Sequence, residues 1–424
     1  MSLRVPAIPP ELYNTIQVNP LQVQQLRDRL ESFARSFAPF FYRKEQARLS
    51  RMYLEGLASD LHRKSVEPIA IAHHQPRQGL QRFAGQGKWD DACVRAELHR
   101  QVARDLGDPD GILILDGSGF PKKGYHSVGV SRQWCNRLGK QDNCQVGVFL
   151  AYHGNGSSLL VDGDLYLPHE WTRSRARLDS CHVPREIGFR SKIEIADEIH
   201  QRVASRIPHG WTVGDDEFGR PAWFRRALRR RGERYVLEVP SNTLIRDLEA
   251  PPPLRRPGQR GAQPQPSLIQ AVEWARSRPA AAWTRVWVRD GEKGPQELEV
   301  TTTRVRAQSE RKLGQHEILV VTRRFATDPE MKYFLSNADA GEVTRQRLAQ
   351  VAVHQHRIEE AFQVAKDDLG MDHYEVRSWI GWHHHMTMAF LSHWFLTREH
   401  RRLGEKISGV DGGVDGQSRQ EGVA

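Results

Sequence analysis

The chain has 424 residues, enough to bury the cores of two or three domains, and 62 Lys+Arg against 52 Asp+Glu give it a formal charge of +10. A hydrophobic fraction of 38% and a mean hydropathy of −0.63 indicate a soluble protein with a large polar surface. The longest apolar stretch, MTMAFLSHWFL (386–396), is interrupted by polar residues and falls short of the roughly 18 residues that a membrane span needs, which excludes a membrane role.

In chain order, residues 11–66 carry apolar positions at spacings of three and four, which predicts helices. Their Arg and Lys content suits either contact with DNA or an ordinary solvated face. From residue 111 the texture changes to short strands, ILILDG (112–117), CQVGVFLAY (144–152) and SLLVDGDLYL (158–167), separated by turn residues as in an antiparallel meander. A helix over 189–207, a strand WTVGDD (211–216), a helix PAWFRRALRRRG (221–232) and a strand RYVLEVP (234–240) follow. Residues 250–267 are rich in Pro, Arg and Gln and read as a loop. Beyond them come strands at 284–290, 296–307, 316–325 and 331–339, a long helix over about 341–368, a second over about 373–400, and a Gly- and Ser-rich tail expected to be disordered.

The N-terminus lacks the apolar segment of a secretory signal. Cys93, Cys135, Cys144 and Cys181 form no CxxC pair, so neither a disulfide framework nor a zinc ribbon is expected, and reduced thiols fit a cytoplasmic protein. The basic surplus favours a polyanion partner, chiefly nucleic acid.

One acidic residue stands on each of three separated elements: Asp116 at the end of ILILD, Asp215 at the end of WTVGD, and Glu359 in HRIEEAFQVAKDDLG (356–370). Rigid elements can hold carboxylates at fixed separation, and three of them converging would suit hard cations such as Mg²⁺. Two such ions about 4 Å apart activate an attacking oxygen and stabilise the leaving oxygen of a phosphodiester. Singly, each residue has a simpler reading, as a turn cap or a solvated helix position.

The stretches LDGSGFPKKGYHSVGVSRQWCNRLGKQDNCQVGVFLAY, DLYLPHEWT, VGDDEFG and HRIEEAFQVAKDDLGMDHYEVRSWIGWHHHMTMAFLSHWFL resemble the DDE transposases of bacterial insertion sequences, over about residues 20–400. The resemblance implies an α/β fold, an RNase H-like mixed sheet flanked by helices, with a helical N-terminal domain and a β-rich insertion between the second Asp and the Glu. It implies a DNA-binding domain at 1–105, a catalytic core at 106–240 and 329–402 around an insertion at 241–328, and a disordered tail at 403–424. Asp116, Asp215 and Glu359 match the catalytic and metal-binding triad, which implies two Mg²⁺ ions, replaceable by Mn²⁺. Lys366, seven residues after Glu359, matches the lysine of the motif Tyr-x2-Arg-x3-Glu-x6-Lys. Where that motif has Tyr and Arg this chain has Ala352 and Gln355, with Arg357 two residues later. The implied partners are double-stranded DNA, as element ends and target, and a second copy of the chain on that DNA, in the nucleoid-associated cytoplasm of a bacterium.

Lys122, Lys123, Arg132 and Lys140 are candidate contacts to the DNA backbone, or solvated loop residues. The same two readings apply to Arg225, Arg226, Arg229, Arg230 and Arg231. His383, His384 and His385 point around a helix at roughly 100° intervals and cannot all meet one ion, so aromatic packing beside Trp379, Trp382 and Trp394 is the expectation. VDGDLY (161–166) lacks the further ligands of an EF-hand loop. Trp274, Trp283 and Trp287 suit core packing, with stacking on an unpaired base as the alternative. A DNA-binding regulator without catalysis is the competing function. A nucleotide loop at DGSGFPKKG is rejected, since no GxGxxG or GxxxxGK[ST] is present.

Overall fold

The structure is a computed structural model and describes residues 20–254, 261, 263–291, 294–325 and 330–411. Helices α1 (Pro20–Phe37), α2 (Lys44–Leu57), α3 (Val66–Ala72), α4 (Arg77–Gly85) and α5 (Asp91–Leu106) precede the first strand. Asp90 starts α5 by accepting hydrogen bonds from the N–H groups of Ala92 and Cys93. The apolar positions Val94, Leu98 and Val102 then fall on one buried face. Phe33, Phe37, Tyr53 and Phe83 from the earlier helices join the same hydrophobic core as the strands.

Strands β1 (Ile112–Pro121), β2 (Ser131–Cys135), β3 (Lys140–Gly154) and β4 (Ser157–Leu165) follow, with β3 antiparallel to β1, β2 and β4; β1, β3 and β4 are the expected meander, and β2 is an additional strand that the sequence did not signal. Short helices α6 (His169–Thr172) and α7 (Arg175–Ser180) lead to α8 (Lys192–Ala204) and β5 (Trp211–Gly214), which runs parallel to β1. Then α9 (Asp216–Gly219) and α10 (Ala222–Arg230) cross to β6 (Tyr235–Glu238), parallel to β5. Ile112–Leu115 and Trp211–Gly214 are buried throughout, because helices cover both faces of this part of the sheet. This is the mixed, helix-flanked sheet of an RNase H-like α/β fold.

The insertion contributes β7 (Leu244–Asp247), β8 (Ile269–Gln270), α11 (Ala271–Arg276), β9 (Thr284–Gly291), β10 (Gly294–Ser309) and β11 (Lys312–Arg323), followed by β12 (Met331–Ser336). These strands continue the core sheet: β12 pairs with β6, β11 with β12, and β10 with β11, all antiparallel. The sheet order is β2-β3-β1-β5-β6-β12-β11-β10-β7-β8, with β4 on β3 and β9 on β10. A second, smaller core of Ile245, Trp274, Trp283, Val305, Leu319 and Leu335 fills the insertion. Packing is thus the observed role of Trp274 and Trp283, whereas Trp287 is 41% exposed. Part of the 250–267 loop lies outside the described residues.

The long helix expected at 341–368 is broken into α12 (Arg345–Val353), a 3₁₀ turn at His354–His356, α13 (Arg357–Gln363) and a π turn at Val364–Asp368. A final helix, α14 (Trp379–Asp411), runs beyond 403 into the segment assigned to a disordered tail. Residues 412–424 of that tail lie outside the described residues. No helix among the described residues is long and apolar enough to cross a membrane. Arg29 of α1 grips Glu399 of α14 through two bonds of 2.8 Å, which ties the two ends of the described chain together.

Candidate active site

The run GILILDGSGFP does not turn at its glycines. β1 continues through Pro121, and Gly117, Ser118 and Gly119 pair with Val148, Gly147 and Val146 of β3. What ends at Leu115 is the parallel pairing with β5, whose last partner there is Gly214. Asp116 and Asp215 follow side by side, just beyond the last paired residues of two parallel strands. Gly119 serves close packing: a Cβ there would lie 2.8 Å from Cys135 Sγ.

Asp215 caps α9, its carboxylate accepting from the Glu217 N–H at 3.0 Å. The turn packs so tightly on β6 that a Cβ at Gly219 would lie within bonding range of the Glu238 carbonyl oxygen, so only glycine fits. Asp116 is held well above the usual carboxylate range, first by burial and then by the Asp215 charge, with smaller pushes from Glu359 and Glu217 and an opposing bond from the Gly117 N–H. Asp215 is raised to about 7, first by burial and then by the charges of Glu217 and Asp216. Desolvation and like charge both disfavour ionised carboxylates, and a cation among them relieves both.

Glu359 opens α13 and is exposed, with its carboxylate 2.8 Å from His356 Nδ1; this bond pulls it below the usual range. It lines a groove of about 590 Å³ between α12, α13 and the insertion strands, together with Gln355, His356, Lys332 and Glu330. Asp116 and Asp215 are therefore neighbours. Glu359 stands close enough for its charge to be felt at Asp116, while its carboxylate faces the groove.

Two further groups fasten α13 to the strands. Gln355, its amide oriented to satisfy both neighbours, accepts from the Asp215 N–H at 3.2 Å and donates to Glu238 Oε2 at 2.8 Å. Lys366, in the π turn, donates to Ser118 Oγ at 2.7 Å. Burial, then the charge of Arg137, brings Lys366 down to about 8, against the attraction of Asp116. Sequence reasoning missed Ser118 and Glu217, and noted Gln355 only as the residue standing where the motif has Arg. Ser118 shares a strand face with Asp116 at i+2, and Gln355 shares a helix face with Glu359 at i−4; both spacings were readable. Glu217, paired with Lys192 at 2.8 Å, comes to the site only through the fold of α9.

The remaining basic candidates divide. Lys123 and Arg132 are exposed. Lys122 lies 3.5 Å above the Tyr374 ring, and burial lowers it to about 8. Arg357 pairs with Glu360 at 2.7 Å and Lys140 with Asp142 at 3.0 Å. Arg225 is buried against Glu317 at 2.8 Å, Arg229 donates to the His316 carbonyl, and Arg231 pairs with Asp197 at 2.7 Å. The three consecutive histidines diverge as expected: His383 to Asp164 at 2.8 Å, His384 stacked on Trp89, and His385 to the Tyr53 hydroxyl at 2.9 Å. In VDGDLY, Asp162 is buried between Arg95, Arg202 and His99, and Asp164 meets His383 and Arg190.

Residues 36–295, more than half of the chain, match the model for the DDE superfamily endonucleases. The chain belongs to that family. Over 154 residues it is 31% identical to the probable transposase for insertion sequence element IS701 of Microchaete diplosiphon. That alignment covers 34% of this chain and 40% of the relative, so the chain is matched to less than half of that protein's length. DDE superfamily endonucleases generally work with divalent metal ions. The clustered oxygen donors of this DDE endonuclease fit a hard cation, and the family match spans Asp116 and Asp215 and ends before Glu359.

Proposed function

We propose that the chain is a transposase that cuts the ends of its mobile DNA element and joins the freed 3′-hydroxyls to target DNA. The observation that carries the proposal is the parallel register Leu115↔Gly214, beside which the half-buried Asp116 and Asp215 follow as neighbours, the Asp215 charge helping to raise the Asp116 carboxyl. Asp116, Asp215 and Glu359 would hold two Mg²⁺ ions, or Mn²⁺ in their place. When bound, such ions polarise the phosphate and lower the pKa of a coordinated water or hydroxyl.

The chain's own groups do the rest. Asp116 sits within β1 and Asp215 just past the end of β5, on adjacent parallel strands, so rigid backbone would keep their oxygens at a fixed separation through both cutting and joining. Gln355 holds α13 to the Asp215 turn, and Lys366 stands on the Asp116 face of β1, where its charge can offset a phosphate beside the scissile bond. Lys123 and Arg132 would contact the DNA backbone further out, and Arg357 and Lys122 would have to leave Glu360 and Tyr374 to do so. A homodimer on paired DNA ends would present two such sites.

The test is incubation of the full chain with labelled DNA spanning the ends of its element, with Mg²⁺ or Mn²⁺. Metal-dependent nicks at the element ends and joined products are expected. DNA binding with no nick under any metal would leave only a DNA-binding regulator.

A further inference from the structure

The strand that presents Asp215 at one end carries a different cluster at the other. His200 of α8, His209 in the loop before β5, and Glu233 in the loop before β6 each offer a ligand atom, all within 4.8 Å of one another. Thr212, which holds His200, lies three residues before Asp215, about 10 Å along an extended strand, so this cluster is separate from the carboxylate site.

We propose that His200, His209 and Glu233 form a second metal site, selective for a borderline divalent cation of the Zn²⁺ class. The cluster's geometry is one observation. The second is a buried ring nitrogen without a partner: His200 is fully buried, its Nε2 lies 2.8 Å from Thr212 Oγ1, and its Nδ1 has no hydrogen-bond partner among the described residues. If Nε2 carries the proton and donates it to Thr212, Nδ1 keeps a lone pair and no buried N–H is left unsatisfied. A threonine fixing the ring through its other nitrogen is the support that a metal-bound imidazole requires.

His209 is prepared in the same way. Its Nδ1 lies 2.8 Å from the Ile207 carbonyl oxygen, an acceptor, so Nδ1 carries a proton and Nε2 points at Glu233 Oε2, also at 2.8 Å. A proton now bridges Nε2 and the carboxylate; the cation takes its place, and that proton leaves to solvent. Two imidazoles, one carboxylate and a water complete a four-coordinate sphere, a donor set that suits Zn²⁺ better than Mg²⁺. His209 and Glu233 keep 8% and 18% of their side chains exposed, which leaves an entry path. The nearby guanidiniums are engaged elsewhere, Arg231 with Asp197 and Arg234 over the Trp211 ring, so a cation need not displace them.

The test uses the full chain stripped with a chelator and titrated with ZnCl₂ against a chromophoric competitor. One tight equivalent is expected in the wild-type protein and in Asp116→Ala, with loss of that equivalent in His209→Gln and Glu233→Gln and about 10–100-fold weaker binding in Thr212→Val. Substoichiometric binding by the wild-type protein, or binding unchanged by His209→Gln, overturns the proposal. Should either variant fail to fold, ¹⁵N spectra of the wild-type imidazoles decide: Zn²⁺ must shift the His200 and His209 ring nitrogens, and signals that stay in place overturn the assignment.

Discussion

Lys366 donates to Ser118 Oγ at 2.7 Å, and Ser118 lies two residues beyond Asp116 on the same face of β1. The lysine seven residues after Glu359 thus reaches back over the strand that carries the first aspartate. Lys366→Ala should lower the cleavage rate by about 10²-fold, the loss typical of one positioned charge donor. Ser118→Ala should cost far less, because it removes only the lysine's tether. Single-turnover cleavage of labelled DNA would separate the two; equal rates in Lys366→Ala and wild type would remove the lysine from the site.

Gln355 stands where the family motif places an arginine, and it links α13 to the Asp215 turn and to Glu238. Gln355→Glu sets a carboxylate against Glu238 in place of an amide N–H. It should lower stability by about 1–3 kcal/mol and cut cleavage more than DNA binding. Urea melts and parallel cleavage and gel-shift assays check this; an unaltered urea midpoint would show that the link carries no load.

Arg225 and Glu317 are 4% and 3% exposed, and the Tyr235 hydroxyl donates to Glu317 at 2.6 Å. This pair joins α10 to the insertion strand β11. Arg225→Ala would strand a buried carboxylate and should cost about 3–5 kcal/mol. Arg226→Ala, which breaks no such pair, should change stability by less than about 0.5 kcal/mol. Thermal melts of the two variants would distinguish a structural arginine from a surface one.

The neighbouring placement of Asp116 and Asp215 was legible because each follows a strongly patterned run. Ile112–Leu115 is a continuous apolar run and Trp211–Gly214 a short buried one, and each meets its aspartate where the parallel pairing of β1 with β5 stops. The course of the chain after Asp116 was not legible. Gly-Ser-Gly reads as a turn, yet β1 goes on to Pro121 because β3 offers pairing partners and Cys135 needs room beside Gly119. The break between α12 and α13 was hidden because the helical periodicity over residues 345–363 carries no Gly or Pro to mark the 3₁₀ turn at His354–His356. The arginine group after Asp215 also read as one face, whereas three of its five members are fixed by partners distant in sequence or by backbone.

Burial holds His384, His385 and His393 down at about 4 and therefore neutral. In the unfolded chain each titrates near 6.5. Their folded values are depressed, so the unfolded state takes up protons first as pH falls. Stability is full above about 6.5 and declines between 6.5 and 4, by about 1.4 kcal/mol per pH unit for each histidine that stays neutral. Urea midpoints at pH 7 and pH 5 should differ strongly, and His393→Gln should flatten the dependence. Identical midpoints at the two values would contradict the buried, neutral assignment.

The most direct test of the central claim is metal-dependent cleavage by Asp116→Asn, Asp215→Asn and Glu359→Gln, each compared with wild type for nicking and for DNA affinity. Each variant keeps the size of the side chain and removes its charge. The account predicts that all three bind the element ends as tightly as wild type and make no nick with Mg²⁺ or Mn²⁺. A variant that nicks at the wild-type rate would contradict the assignment of that residue, and wild-type nicking by all three would place the chemistry elsewhere on the chain.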